Sequence, residues 1–215
     1  MKTSNAFLRP VYFLTGLLLT LLLVTSSVKA QCPSDDAIHP FSYEFGFSHW
    51  TADTTEVDYG NCQYFVYYCH RVVHYMTDSF GIQPYYQTFT YGIDSLADST
   101  HPCNPDSSDQ NIIDYIADDM LTKVPPNFYP PCNDNYQKMK GAAFRPNCWR
   151  KVDNHSYRGC SDTSNYCEMI CDICMDGNVY KFGCSFQVLG TPTCSVLVPW
   201  KKGDCSLVEC GINPH

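Results

Sequence analysis

The chain has 215 residues, 14 of them cysteine, and a formal net charge of −8. The acidic balance argues against a nucleic-acid binder, which needs a basic stripe to neutralise phosphate. At 44% hydrophobic and 17% charged the chain is not a disordered polyelectrolyte, and its length allows one domain or two small ones.

Lys2 and Arg9 form a short positive region ahead of an apolar run of 14 residues, Val11–Val24. A membrane span needs about 20 residues, so the run has the length of a signal-peptide core. Val28 and Ala30 satisfy the small-residue cleavage rule, which makes residues 1–30 a cleaved signal peptide and Gln31 the mature start. Lys29-Ala30-Gln31 ahead of Cys32 disfavours a lipoprotein site. Cleavage removes Lys2, Arg9 and Lys29 and no acidic residue. Lys+Arg then falls from 14 to 11 against 22 Asp+Glu, a net charge of −11. The expected location is secreted or extracytoplasmic, meaning periplasm or cell surface in a bacterium. Oxidising compartments favour disulfides. Cys32, Cys62, Cys69, Cys103, Cys132, Cys148, Cys160, Cys167, Cys171, Cys174, Cys184, Cys194, Cys205 and Cys210 are therefore read as seven bridges.

Residues 31–124 read as a tyrosine-rich strand hairpin followed by a helix. Asn61–Tyr75 and Pro84–Ile93 are rich in residues that suit a pleated sheet, and Thr77–Gly81 is the turn between them. Centring that turn near Ser79 sets Val73 opposite Tyr85 or Tyr86, and Tyr67 opposite Tyr91. Cys62 and Cys69 have odd spacing, face opposite sides of an unbroken strand, and are not expected to bridge each other. Ser107–Val124 is an amphipathic helix with the apolar stripe Ile112, Ile113, Ile116, Met120 and Leu121. Ser107 and Gln110 fit a capping box. The stripe should lie on the sheet, with Asp114, Asp118 and Asp119 facing solvent.

Pro125, Pro126, Pro130 and Pro131 make residues 125–131 a stiff connector. It either separates two domains or forms a rigid loop within one. Residues 132–215 read as a cysteine-dense, β-rich region. Gly141–Val152, around Cys148-Trp149, is a strand, and Thr163–Met175 is a short cysteine-bearing helix stopped by Asp176-Gly177-Asn178. Val179–Leu189 alternates, with Tyr180, Phe182, Cys184, Phe186 and Val188 on one face of a half-buried strand. Cys194–Val198 and Cys205–Glu209 flank Pro199–Asp204 as a closing hairpin, which suggests a Cys194–Cys210 bridge. The fold class is α+β, mostly antiparallel strands with two helices, rich in disulfides.

Cys167, Cys171 and Cys174 have CxxxCxxC spacing. On a helix they share one face, which suits three bridges to neighbouring elements, since exported thiols oxidise. His70 and His74 lie about 13 Å apart on a strand at ~3.3 Å per residue, too far for one metal, and no HExxH glutamate accompanies them. Asp172–Gly183 starts like a calcium loop but has Cys at its third position and Gly at its twelfth. Asp53, Glu56 and Asp58 read as a solvated acidic turn. Asn154-His155-Ser156 is a glycosylation sequon. There is no GxSxG, and no motif names a family, a cofactor or a metal.

Eight tyrosines fall between Tyr59 and Tyr91. Tyrosine offers flat contact area with a polar tip, so Tyr64, Tyr67, Tyr68, Tyr85, Tyr86 and Tyr91 are the candidate binding residues. The expected function is a non-catalytic extracellular module for binding, adhesion or surface structure. Its partner would be a protein or carbohydrate, with no nucleic acid and no membrane span after cleavage. The rivals are a small secreted hydrolase with a site assembled from distant residues, and a protease inhibitor presenting the Pro199–Asp204 loop. A hydrolase should show a serine or carboxylate meeting His39, His49, His70, His74, His101 or His155.

Overall fold

Two long tyrosine- and valine-rich strands organise the chain. In a computed structural model that describes residues 32–35, 44–77, 81–96, 108–124, 128–132, 139–153, 155–160, 165–191, 194 and 204–211, these strands are β3 (Cys62–Thr77) and β4 (Gly81–Ser95). They pair antiparallel, with Val73 opposite Tyr85, one of the two partners expected. Nearer the other end Tyr67 pairs with Gly92 and Tyr68 with Thr90, leaving Tyr91 as the extra residue of a bulge. A bulge resets the two-residue period of a strand. Tyr91 therefore packs on one face of the sheet and Ile93 on the other.

β3 carries β1 (Glu44–Phe47) and β2 (Thr51–Tyr59) on its outer edge. β4 divides its free edge between two neighbours. Tyr86–Phe89 pair in parallel with β5 (Met139–Pro146), and Gly92–Ile93 pair antiparallel with β7 (Ser156–Gly159). From β5 the sheet continues to β8 (Tyr166–Asp176) and β9 (Asn178–Leu189). From β7 it continues to β6 (Cys148–Asp153) and β10 (Cys205–Leu207). The result is one ten-stranded sheet, mostly antiparallel. Strands from both sides of the proline-rich connector meet in it, and all described residues belong to the unit Cys32–His215.

The single described α-helix, α1 (Asp109–Asp119), runs into a 3₁₀ turn at Met120–Thr122. Its cap is Ser108, one residue later than expected: the Ser108 hydroxyl accepts from the Asn111 amide at 3.2 Å. Gln110 closes no capping box. Its amide nitrogen donates to Asp114 and to the Glu209 carbonyl, both at 2.6 Å. Ile112, Ile113, Ile116, Met120 and Leu121 are all buried as the stripe requires, each burial worth about 1.5–3 kcal/mol. Four of them meet Tyr64, Val66, Ile93, Trp149 or Tyr157 in one core cluster. The helix aspartates do not simply face solvent. Asp114 pairs with Arg145 at 2.6 Å, Asp119 with Lys123 at 3.2 Å, and Asp118 with Lys181.

Three further expectations change. The cysteine-bearing helix is instead strand β8 over Tyr166–Asp176, with residues 161–164 outside the described residues. An apolar run buried on both sides satisfies helical and strand periods alike, and β5 and β9 flank this one. The strand expected over Gly141–Val152 breaks at Asn147, after Pro146, which has no amide hydrogen to continue the ladder. β10 pairs with β6, not with a hairpin partner; the expected partner beyond Cys194 lies outside the described residues, as do the signal peptide and the loop Pro199–Gly203.

Six disulfides join described residues: Cys32–Cys69, Cys132–Cys174, Cys148–Cys194, Cys160–Cys205, Cys167–Cys210 and Cys171–Cys184. Cys62 is also bridged, to a cysteine outside the described residues. The expected Cys194–Cys210 pair does not form, because Cys194 lies beside Cys148 and Cys210 beside Cys167. Cys167, Cys171 and Cys174 bond to three neighbouring segments and not to one another, the outcome anticipated from a helix but reached on a strand.

Candidate functional site

The hairpin tyrosines divide between the two faces of the sheet. Tyr64, Tyr68 and Tyr86 lie on the helix side, and Tyr67, Tyr85 and Tyr91 on the other. Five of the six are buried; Tyr67 alone is half-buried. Both faces of β3–β4 are covered, one by α1 and its 3₁₀ turn, the other in part by Cys32 and Trp50. Burial pushes the Tyr64 and Tyr68 phenols up to about 12 and raises Tyr86 further, so at neutral pH all three are neutral donors. The tyrosine rows are thus core material, with one opening.

That opening lies around Tyr67. Phe65, half-buried, meets the Tyr67 ring edge-on at 5.3 Å, and Tyr91 lies 6.3 Å behind it. The Arg158 guanidinium from β7 stands 4.9 Å over the Tyr67 ring. Two Arg158 nitrogens grip the Asp94 carboxylate at 2.7 Å each, a bidentate pair. Gly92, opposite Tyr67, gives the ring room: a Cβ there would sit 3.1 Å from its Cδ2. Two half-buried aromatic side chains thus lie beside a fixed guanidinium–carboxylate pair. Such a surface can stack on a ligand ring and donate or accept hydrogen bonds at its rim.

A second polar centre lies on the helix side of the hairpin. His70 is half-buried between Tyr68 and Tyr86, 5.8 Å from each ring. Burial lowers its pKa, opposed by Asp53, so the imidazole is neutral at pH 7. Thr88 and Thr90 stand opposite His70 and Tyr68 on β4, and their buried hydroxyls find no partner among the described residues. His74 is exposed four residues along the strand. Among the described residues no group of His, Cys, Asp or Glu is arranged to hold a metal.

The other charged clusters hold elements together. Asp109, in the first turn of α1, accepts from the Tyr157 hydroxyl at 2.5 Å and from Lys151 at 3.0 Å, tying the helix to β6 and β7. His155 lies 3.9 Å from Asp109, and burial with Lys151 lowers its pKa. Asp35 meets His49 at 2.5 Å, accepts from the Trp50 amide, and offers its carbonyl to buried Arg71. This pins the segment after Cys32 to β3. Among the described residues neither His49 nor His155 is hydrogen-bonded to a serine hydroxyl. Asp172–Gly183 is the β8–β9 hairpin, turning at Gly177, and not a calcium loop. Asp53, Glu56 and Asp58 lie along β2 rather than in a turn.

Sequence reasoning missed Arg158, Asp94, Arg71 and Arg145. Arg71 carried a signal: it shares strand parity with Cys69 and Val73, both inward. Arg158 and Asp94 are 64 residues apart, and nothing local links them. The chain matches no protein-family model, no curated protein and no solved structure.

Proposed function

We propose that this protein is an exported, disulfide-stabilised, non-catalytic module that binds an extracellular carbohydrate or protein. Its contact surface would be Phe65, Tyr67 and the Arg158–Asp94 pair. One observation carries this reading: of the six candidate tyrosines, Tyr67 alone is not buried, and a fixed charge pair borders it. Stacking on aromatic rings with hydrogen bonds from a bidentate Arg–Asp pair suits a sugar ring or a polar protein loop. The disulfides and the strand-rich fold agree with an oxidising compartment, and no helix among the described residues is long and apolar enough to cross a membrane. Two of the described histidines touch a carboxylate, and each contact braces the scaffold.

The test uses the oxidised, signal-cleaved protein on a glycan array and against a panel of ester, peptide and glycoside substrates. Binding weakened at least tenfold by Tyr67→Ala, with thermal stability retained, supports the reading. Turnover of any substrate that is abolished by His70→Ala or His155→Ala overturns it.

A further inference from the structure

The bridge between β8 and β9 differs in three respects from the other five that join described residues. Cys184 is exposed, whereas every cysteine of the other bridges is buried or half-buried. Its two cysteines are 13 residues apart, against 37 to 46 elsewhere. It also joins strands that are already hydrogen-bonded neighbours. Constraint on the unfolded chain grows with loop length, so this bridge is the least needed to hold the fold.

The bridge sits where the β8–β9 register changes. Ile170 faces Ser185, but Asp172 faces Phe182, so Cys171 is opposed by both Gly183 and Cys184. Gly183 takes a φ of +56° to make the bulge, a region that favours glycine. The sequence keeps an unbroken period of two through Tyr180, Phe182, Cys184, Phe186 and Val188. A strand without the bulge would place all five on one face. In the structure Tyr180 and Phe182 share a face with Cys174 and Asp172, while Phe186 and Val188 share the opposite face with Met169 and Cys167. All four large side chains are exposed, at 43–48%.

We propose that Cys171–Cys184 is a reducible latch: it holds β9 in the bulged register, and a dithiol reductant releases the Ser185–Leu189 half to slide by one residue. A dithiol thiolate attacks the sulfur of Cys184, the exposed residue of the pair, forms a mixed disulfide there and expels Cys171 as a thiolate, which takes up a proton. The second thiol then attacks the reductant's own sulfur in that mixed disulfide and releases Cys184, which is protonated in turn. The reductant becomes its cyclic disulfide, and two electrons and two protons pass to the bridge. A one-residue shift reverses the facing of every side chain in the moving half, gathering Phe186 and Val188 with Tyr180 and Phe182. The Asn178–Phe182 half stays because the tight turn at Gly177 and the Lys181–Asp118 pair anchor it. The moving half gives up the Gln187–Glu168 hydrogen bond, which holds the latched register in place.

Graded dithiothreitol followed by alkylation and peptide mapping reads the first step. Cys171 and Cys184 should be labelled at a reductant concentration at least tenfold below that needed for any other pair. Trapping reads the second, in the Cys171→Ser/Cys184→Ser background. Met169→Cys should cross-link with Ser185→Cys, its partner after the slide, while in the intact parent it should cross-link only with Phe186→Cys. Earlier reduction of another bridge overturns the proposal. So does cross-linking of Met169→Cys to Phe186→Cys alone in both backgrounds.

Discussion

Arg145 is the residue whose removal tests the packing most directly. Its side chain is 3% exposed and pairs with Asp114, itself 17% exposed, at 2.6 Å. It also donates to the carbonyls of Pro146, Val208 and Glu209 at 3.2, 3.3 and 2.6 Å. One guanidinium thus ties β5 to α1 and to the segment after β10. Burial pulls its pKa down and Asp114 opposes that shift, as expected of a charge that keeps its proton through its partner. Arg145→Met leaves Asp114 without its cation and removes one donor from each of three carbonyls, of which Pro146 and Glu209 keep the Trp149 indole and the Gln110 amide. Breaking a buried pair from one side costs about 3–5 kcal/mol. Asp114 retains some water and the Gln110 amide, which sets the lower end, about 3 kcal/mol. At roughly 2–4 °C per kcal/mol for a chain of this size, Tm should fall by about 6–12 °C. Equilibrium urea unfolding with the disulfides intact measures the loss, and Asp114→Asn with the double variant closes a cycle. A coupling energy of at least about 1 kcal/mol is expected for residues in direct contact. A loss below 1 kcal/mol for Arg145→Met, or strict additivity in the cycle, would refute the reasoning.

Gly159→Ala would place a Cβ 2.6 Å from Pro146 Cγ, an atom of a rigid ring. Overpacking of this kind costs about 1–3 kcal/mol by urea midpoint, while Gly46→Ala, with open space around it, should cost far less. Burial raises the Glu168 carboxyl above its usual range, opposed in part by the Gln187 amide. The folded chain then keeps a proton that the unfolded chain releases, so stability falls as pH rises from the ordinary glutamate range through the raised value. Glu168→Gln should flatten that part of the urea-midpoint profile between pH 4 and 7; an unchanged slope counts against a buried carboxyl. His70 behaves in the opposite sense: burial lowers its pKa, so its contribution is complete above about pH 6.5 and is lost as pH falls below that. His70→Asn should reduce the loss of stability between pH 7 and 5, and a steeper loss would contradict its burial.

The helix shows how far local pattern carries. Its stripe from Ile112 to Leu121 was readable because five apolar residues at helical spacing leave only one face to bury. The hairpin was readable from its density of tyrosine and valine, with Val73 set opposite Tyr85 or Tyr86, of which the sheet takes Tyr85. β8 was misread because Cys167, Ile170, Cys171 and Cys174 satisfy a helical period while a two-sided buried strand imposes none. The proposed binding face was half-legible. Tyr67 stood among the candidates, but local pattern could not separate it from five buried neighbours, and the Tyr91 bulge that shifts its cross-strand partner to Gly92 has no local mark. Arg158 and Asp94 become a pair only when β7 docks on β4.

The sequence alone determined the heavy use of disulfides, the dominance of strands and the position of the helix. Cysteine number, β-branched and aromatic runs and apolar spacing act over a few residues, so the chain carries them in plain order. Tertiary structure alone decided which cysteines pair, which tyrosines are buried and how β9 is split between two faces. Each depends on a partner brought close by folding. Cys148 meets Cys194 across 46 residues, and Cys171 meets Cys184 at a bulge that the unbroken alternation of β9 conceals. The 14 cysteines are a property of the chain; their pairing is a property of the sheet that brings them together.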